Sequence, residues 1–118
     1  MNVLFIVLND LDYLDEILAK LIDLKVRGAT IIDSQGMASA VLNSDGLSMY
    51  RNGPFAQAAP FIQKNSKTIF TVMPEEATLT KVVNAVKDIV DHANHPGVGF
   101  MFSLPVGGIY PMKPHLEK

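Results

Sequence analysis

Cysteine and tryptophan are absent from this 118-residue chain, and aromatic residues make up only 8% of it. Without cysteine the chain forms no disulfide, no thiolate metal site and no thiol nucleophile, which fits a reducing compartment. Charged residues are scarce at 19%, and they form no run of one sign. A net charge of −2 without a basic block offers no broad face to a phosphate backbone, so we expect no nucleic-acid partner.

The sequence also shows no transmembrane segment and no signal peptide. The apolar start, residues 1–8, is too short to span a bilayer and lacks the basic region of a signal peptide. We therefore expect a cytoplasmic protein with no membrane insertion.

Hydrophobic residues, in contrast, are abundant, at 48% of the chain with a mean hydropathy of +0.21. A chain of this length has room for a single domain, residues 1–118, which buries about two thirds of its unfolded surface. Because so small a domain hides little apolar surface by itself, we expect part of it to face other copies of the chain.

One pattern occurs twice: a short apolar run, an amphipathic stretch with helical period, then a glycine and a second apolar run. The first helical stripe is Leu14, Ile17, Leu18, Leu21 and Leu24, and the second, with identical spacing, is Leu79, Val82, Val83, Val86 and Ile89. The repeat predicts an α+β, ferredoxin-like βαββαβ fold, a four-stranded antiparallel sheet with two helices on one face. Another subunit would cover the other face.

The expected elements have approximate bounds. Strands are predicted over residues 3–8, 28–36 and 68–73 and after Pro96-Gly97; the first helix follows the capping candidates Asn9, Asp10 and Asp12 and ends near 25. The second helix is predicted from Pro74 to about 92–94. Residues 37–67 have no clear period, and so long an excursion in a compact domain is typical of a functional loop.

Two stretches, residues 3–36 and 72–104, carry short motifs in a constant register. The first has Leu-Asp-Glu-Ile at 14–17, Val-Arg-Gly-Ala-Thr-Ile at 26–31 and a glycine at 36; the second has Val-x-Pro-acid-acid at 72–76 and Gly-x-x-Phe-x-Phe at 97–102. In these motifs, which lie in ungapped matches covering more than half of the chain, the sequence resembles the nitrogen-regulatory PII signalling family.

The resemblance implies a homotrimer whose sheets face inward, with a small effector, such as an adenine nucleotide, in the clefts between subunits. It also implies a protruding T-loop at residues 39–67 that contacts a protein target, and a sensor rather than an enzyme. The implied effector-binding residues are Thr30, Gly36, Met37, Ala38, Ser39, Gly97, Val98 and Gly99.

The cations of the family's nucleotide site are missing. At the end of the second strand the family has Gly-Phe-Gly-Arg, whereas this chain has Gly-Met-Ala-Ser at 36–39. Before the last strand the family has Gly-Asp-Gly-Lys, whereas this chain has His-Pro-Gly-Val at 95–98. Two arginines that follow that strand in the family are replaced here by Ile109 and Pro111. A triphosphate needs Lys, Arg or a dense set of N–H donors to replace its hydration. ATP binding in the family's usual mode is therefore not expected from these positions, although Lys113 or residues of the excursion could enter the cleft from a neighbouring subunit. Adenine recognition by Thr30, Gly36 and the apolar cleft could persist without a triphosphate, and the sequence names no cofactor.

Alternative readings stay open. A structural or metal-tolerance trimer resembling the CutA family is favoured by the missing cations, whereas the long excursion favours the sensor.

His92, His95 and His115 invite a metal hypothesis, but Pro96 ends the helix there, and histidines at a helix end commonly complement its dipole. The acidic residues Asp10, Asp12, Asp15 and Glu16 suit a solvated helix start better than an acid–base pair, and no serine has a histidine at hydrolase spacing.

Overall fold

The structure, a computed structural model, describes residues 1–42 and 65–114. In chain order it has β1 (Asn2–Leu8), a 3-10 helix (Leu11–Tyr13), α1 (Leu14–Asp23), β2 (Thr30–Ser34), α2 (Met37–Leu42), β3 (Ser66–Met73), α3 (Glu76–Val90) and β4 (Gly99–Pro105). The strands form one sheet in the order β2-β3-β1-β4, with every neighbouring pair antiparallel. The predicted ferredoxin-like α+β architecture is confirmed.

The core lies between the sheet and the helices α1 and α3. Alternate residues of the central strand β1, which are Leu4, Ile6 and Leu8, are buried against the two apolar helix stripes. Strand β3 adds Ile69 and Met73, while α1 adds Ile17 and Leu21 and α3 adds Leu79, Val82 and Val86. The repeated stripe of the sequence thus became the buried face of both helices, because helical side chains three and four positions apart lie on one side.

The opposite side of the sheet, here called the open face, carries the other alternating residues of the strands. Phe5 of β1 stands between Phe70 of β3 and Phe102 of β4, with ring centroids 5.6 and 4.8 Å away respectively. Phe100 stacks at 6.0 Å from Phe102, and these two edge-strand rings are 59% and 41% exposed. Neither α1 nor α3 covers this row of rings, so a large apolar surface faces outward.

Several element boundaries differ from those predicted. The stretch expected to lack regular structure begins with helix α2, since the run Met-Ala-Ser-Ala-Val-Leu contains mostly good helix formers. Strand β3 starts at Ser66, which is earlier than predicted, and α3 starts at Glu76 because Glu75 is still extended. Residues 43–64 of the expected T-loop lie outside the described residues. No helix within the described ranges is long and apolar enough to cross a membrane.

Gly99 is where β4 approaches β1 most closely. A Cβ atom at this position would overlap the backbone carbonyl oxygen of Val7, whereas a Cβ at Gly28 would meet nothing within 4 Å. We expect Gly99→Ala to lower the free energy of unfolding by about 1–3 kcal/mol, because two paired strands must separate to admit the methyl group. Gly28→Ala, the matched control, should change it by less than about 0.5 kcal/mol in urea unfolding. Equal effects would show that the β1–β4 contact is not this close.

Candidate functional site

The predicted site residues gather mainly at one end of the sheet. The register pairs Leu8, the last residue of β1, with Lys67 of β3 and Gly99 of β4, and it pairs Ser34 of β2 with Ser66. Residues 36–39 leave β2 at this end, and residues 97–99 enter β4 at the same end. Thr30 lies at the beginning of β2, opposite Phe70.

The two groups nevertheless occupy opposite edges of the sheet. Strands β2 and β4 are its outer strands, and β3 and β1 lie between them. Three inter-strand spacings separate the outer strands by roughly 14 Å. One protomer therefore carries two half-sites, residues 30–39 at the β2 edge and residues 95–99 at the β4 edge, and does not join them.

The β2 half-site is built around the start of α2. The Gly36 carbonyl accepts a hydrogen bond from the Ala40 N–H at 3.0 Å, which closes the first turn of that helix. Met37 is exposed, Ala38 is half-buried and Ser39 is buried. Residues 36–39 thus present backbone groups and the exposed Met37 side chain, without Lys or Arg.

A cluster of hydroxyl groups lies beside this half-site at the end of β2. The Ser34 and Ser66 hydroxyl oxygens are 2.8 Å apart, and the Ser66 hydroxyl donates to the Ser34 carbonyl at 2.7 Å. The Thr68 hydroxyl donates to the Ser34 hydroxyl oxygen at 3.0 Å. These bonds satisfy the buried Ser66 and Thr68 side chains and fix the β2–β3 end from which the excursion departs.

The β4 half-site is a turn held by backbone contacts. Gly97 has a φ of 81°, a left-handed conformation that favours glycine. The Val98 carbonyl accepts from the N–H groups of Asn9 and Asp10 at 2.8 and 3.1 Å. The Val98 side chain packs against the core, so this position of the turn contributes an apolar group.

Asp10 and His95 join the end of β1 to this turn. His95 Nε2 lies 2.9 Å from Asp10 Oδ2, and His95 Nδ1 lies 2.9 Å from the Pro96 carbonyl oxygen. The other carboxylate oxygen, Asp10 Oδ1, accepts from the Asp12 N–H at 3.1 Å and caps the 3-10 helix. Asp10 was predicted to cap the first α-helix, but α1 begins after Tyr13 without a side-chain cap. The hydrogen bond to the Pro96 carbonyl, followed by that to the Asp10 carboxylate, raises the pKa of His95.

The described part of the chain contains no set of side chains that would bind a metal ion. His95 faces Asp10, and within residues 1–42 and 65–114 no three His, Asp or Glu side chains are grouped to hold an ion. His115 lies outside the described residues. The pairing of Asp10 with His95 was not predicted from the sequence. The predicted fold does place the end of β1 beside the start of β4, which is where the two residues meet.

An open groove, also missed from the sequence, runs between α3 and the β1–β4 edge. Its volume is about 440 Å³. The walls are mainly apolar, with Lys87 and Ser103 as polar members, and include Leu4, Ile6, Val83, Val86, Val98 and Met101. Its existence depends on how α3 crosses the sheet, which a local pattern does not encode.

Comparison with protein-family models gives no match to this sequence, and comparison with curated proteins gives no significant match either. The fold and the two half-sites therefore carry the functional argument.

Proposed function

We propose that this chain is a PII-like regulatory protein that assembles as a homotrimer, binds a small effector between subunits and signals to a protein target through residues 39–67. The observation that carries the proposal is the open face, where Phe5, Phe70 and Phe102 form a row that neither α1 nor α3 covers. Exposed apolar patches of this kind mark surfaces that contact other chains. Sheets facing inward in a trimer would bury the row.

The division of the site supports an effector bound between subunits. Residues 34–39 and 97–99 share one end of the sheet but lie on opposite edges, and Thr30 lies further along β2, opposite Phe70. A cyclic assembly that sets the β2 edge of one protomer beside the β4 edge of the next would join them. The T-loop-like excursion starts at the β2 half-site, so an effector there would contact its base and favour one of its conformations.

The chemistry of the half-sites restricts the effector. Residues 30–39 and 95–99 contain no Lys or Arg, and Val98 packs against the core. A ligand that relies on several phosphates would lose its counter-charges here. The expected effector is therefore an adenine nucleotide held chiefly through its base, or a metabolite of lower charge.

A structural trimer resembling the CutA family, without nucleotide binding, is the second candidate. The absence of Lys and Arg from both half-sites favours it, whereas the excursion between β2 and β3 favours the sensor. Both candidates predict a trimer, so oligomeric state alone does not separate them.

The separating experiment is a calorimetric titration with AMP, ADP and ATP on protein first shown to be trimeric by light scattering. Amide exchange of residues 39–67 would be measured with the same nucleotides, cyclic dinucleotides and common metabolites. The sensor predicts binding of at least one compound together with changed exchange in the excursion. A trimer that responds to none of them would contradict the sensor and support the structural alternative.

Thr30 provides a point test of the β2 half-site. We expect Thr30→Val to weaken binding of the identified effector by roughly 2- to 10-fold, because one hydroxyl hydrogen bond contributes about 0.5–1.5 kcal/mol. Thr80→Val is the matched control, since Thr80 is an exposed threonine on α3 whose hydroxyl donates to the Glu76 carbonyl within its own helix. Equal affinities of the two variants would remove Thr30 from the site.

A further inference from the structure

We infer that Asp10 and His95 form a pH-dependent latch that holds the α3–β4 turn, residues 95–98, against the end of β1. The inference concerns the turn itself and does not depend on whether an effector binds. His95 Nε2 faces Asp10 Oδ2 and His95 Nδ1 faces the Pro96 carbonyl oxygen, each at 2.9 Å. A carbonyl and an ionised carboxylate only accept hydrogen bonds, so both ring nitrogens must donate. Only the imidazolium carries a proton on each nitrogen.

The surroundings fix both partners of the latch. The Asp10 side chain is 13% exposed and the His95 side chain 22%. Asp10 cannot turn away without losing its hydrogen bond from the Asp12 N–H. Two other titratable residues are close in sequence, Asp12 on the 3-10 helix and His92 before the turn. A neutral His95 ring has a proton on only one nitrogen. The lone pair of the other nitrogen then faces an oxygen atom, and the two repel each other.

The direction of the pH effect follows from the raised pKa of His95. Because the folded protein favours the protonated ring, the latch is fully closed below the ordinary histidine pKa of about 6.5. It opens as the pH rises through the folded-state pKa. The N–H groups of Asn9 and Asp10, which donate to the Val98 carbonyl, then lose part of their support. Rising pH thus loosens the turn that bears Gly97 and Val98.

The test follows the His95 ring nitrogens by NMR and, in the same samples, the exchange protection of the Asn9 and Asp10 amides, corrected for intrinsic base catalysis. We expect both ring nitrogens to be protonated in mildly acidic solution, a pKa above the ordinary histidine value, and a loss of protection that follows the ring titration. Asp10→Asn should lower the pKa of His95 and move the loss of protection to lower pH. Asp15→Asn, which removes one charge from the exposed start of α1, should change neither.

Three outcomes would overturn the latch. A wild-type ring that titrates at or below the ordinary value contradicts the imidazolium. Equal shifts in Asp10→Asn and Asp15→Asn reduce the effect to general electrostatics. Amide protection that does not follow the ring titration separates His95 from the turn. If Asp10→Asn fails to fold, the wild-type titration still decides, together with His95→Gln, in which the pH dependence of protection should disappear.

Discussion

Phe102→Glu is expected to convert the proposed homotrimer, with three times the 12.9 kDa chain mass, into monomers. Phe102 lies on the open face, stacked on Phe5, and is 41% exposed in the protomer. If the open faces meet in a trimer, the new carboxylate is removed from water without a partner, which costs several kcal/mol in each subunit. Light scattering coupled to size exclusion measures the outcome directly.

The control for this experiment is Ile22→Glu, an equivalent change at a 74% exposed position of α1, on the helix side of the sheet. It should leave the trimer intact. Loss of ring stacking at Phe102 removes only about 0.5–1.5 kcal/mol, so the monomeric variant should keep its circular dichroism spectrum. A Phe102→Glu protein that stays trimeric, or a wild-type protein that is monomeric, would refute the open face as the interface.

Ile17→Ala is expected to lower the free energy of unfolding by about 2–5 kcal/mol, a large share of the total stability of a small domain. Ile17 is 0% exposed and belongs to the core between α1 and the sheet. Removing its outer carbon atoms leaves a cavity that surrounding side chains fill only in part.

Ile22→Ala makes the same chemical change on the same helix at an exposed position, and should alter stability by less than about 0.5 kcal/mol. Urea unfolding must compare the proteins at one concentration, because assembly links stability to concentration. Similar losses for the two variants would mean that α1 does not present its Leu14–Leu21 stripe to the sheet.

The repeated stripe accounts for how much of the fold could be predicted. Leu14 to Leu24 and Leu79 to Ile89 indicated two helices with one apolar side each, and the flanking apolar runs indicated four strands. The predictions of two helices and of four strands were both confirmed, because the direction of the side chains repeats with the local backbone period. The boundary errors at Pro74 and Met37 arose because capping residues and the propensity of a six-residue run only weakly indicate where a helix begins.

Less of the candidate site than of the fold could be predicted from the sequence. The half-site residues Gly36 and Gly97 were named only through the resemblance, whose implied trimer, effector and target remain proposals. The pairing of Asp10 with His95 joins residues that are remote in the chain, and the groove beneath α3 depends on the crossing of helix and strand. Neither has a period or a local motif from which it could be deduced.

By itself, the sequence determined the types of the elements and the side of each helix that is buried. Those properties follow from side-chain spacing along one segment. Only the tertiary structure decided that the half-sites lie on opposite edges, that Val98 faces the core and that His95 is held between Asp10 and Pro96. These arrangements depend on strand order and on contacts between distant segments, which form when the whole sheet is assembled.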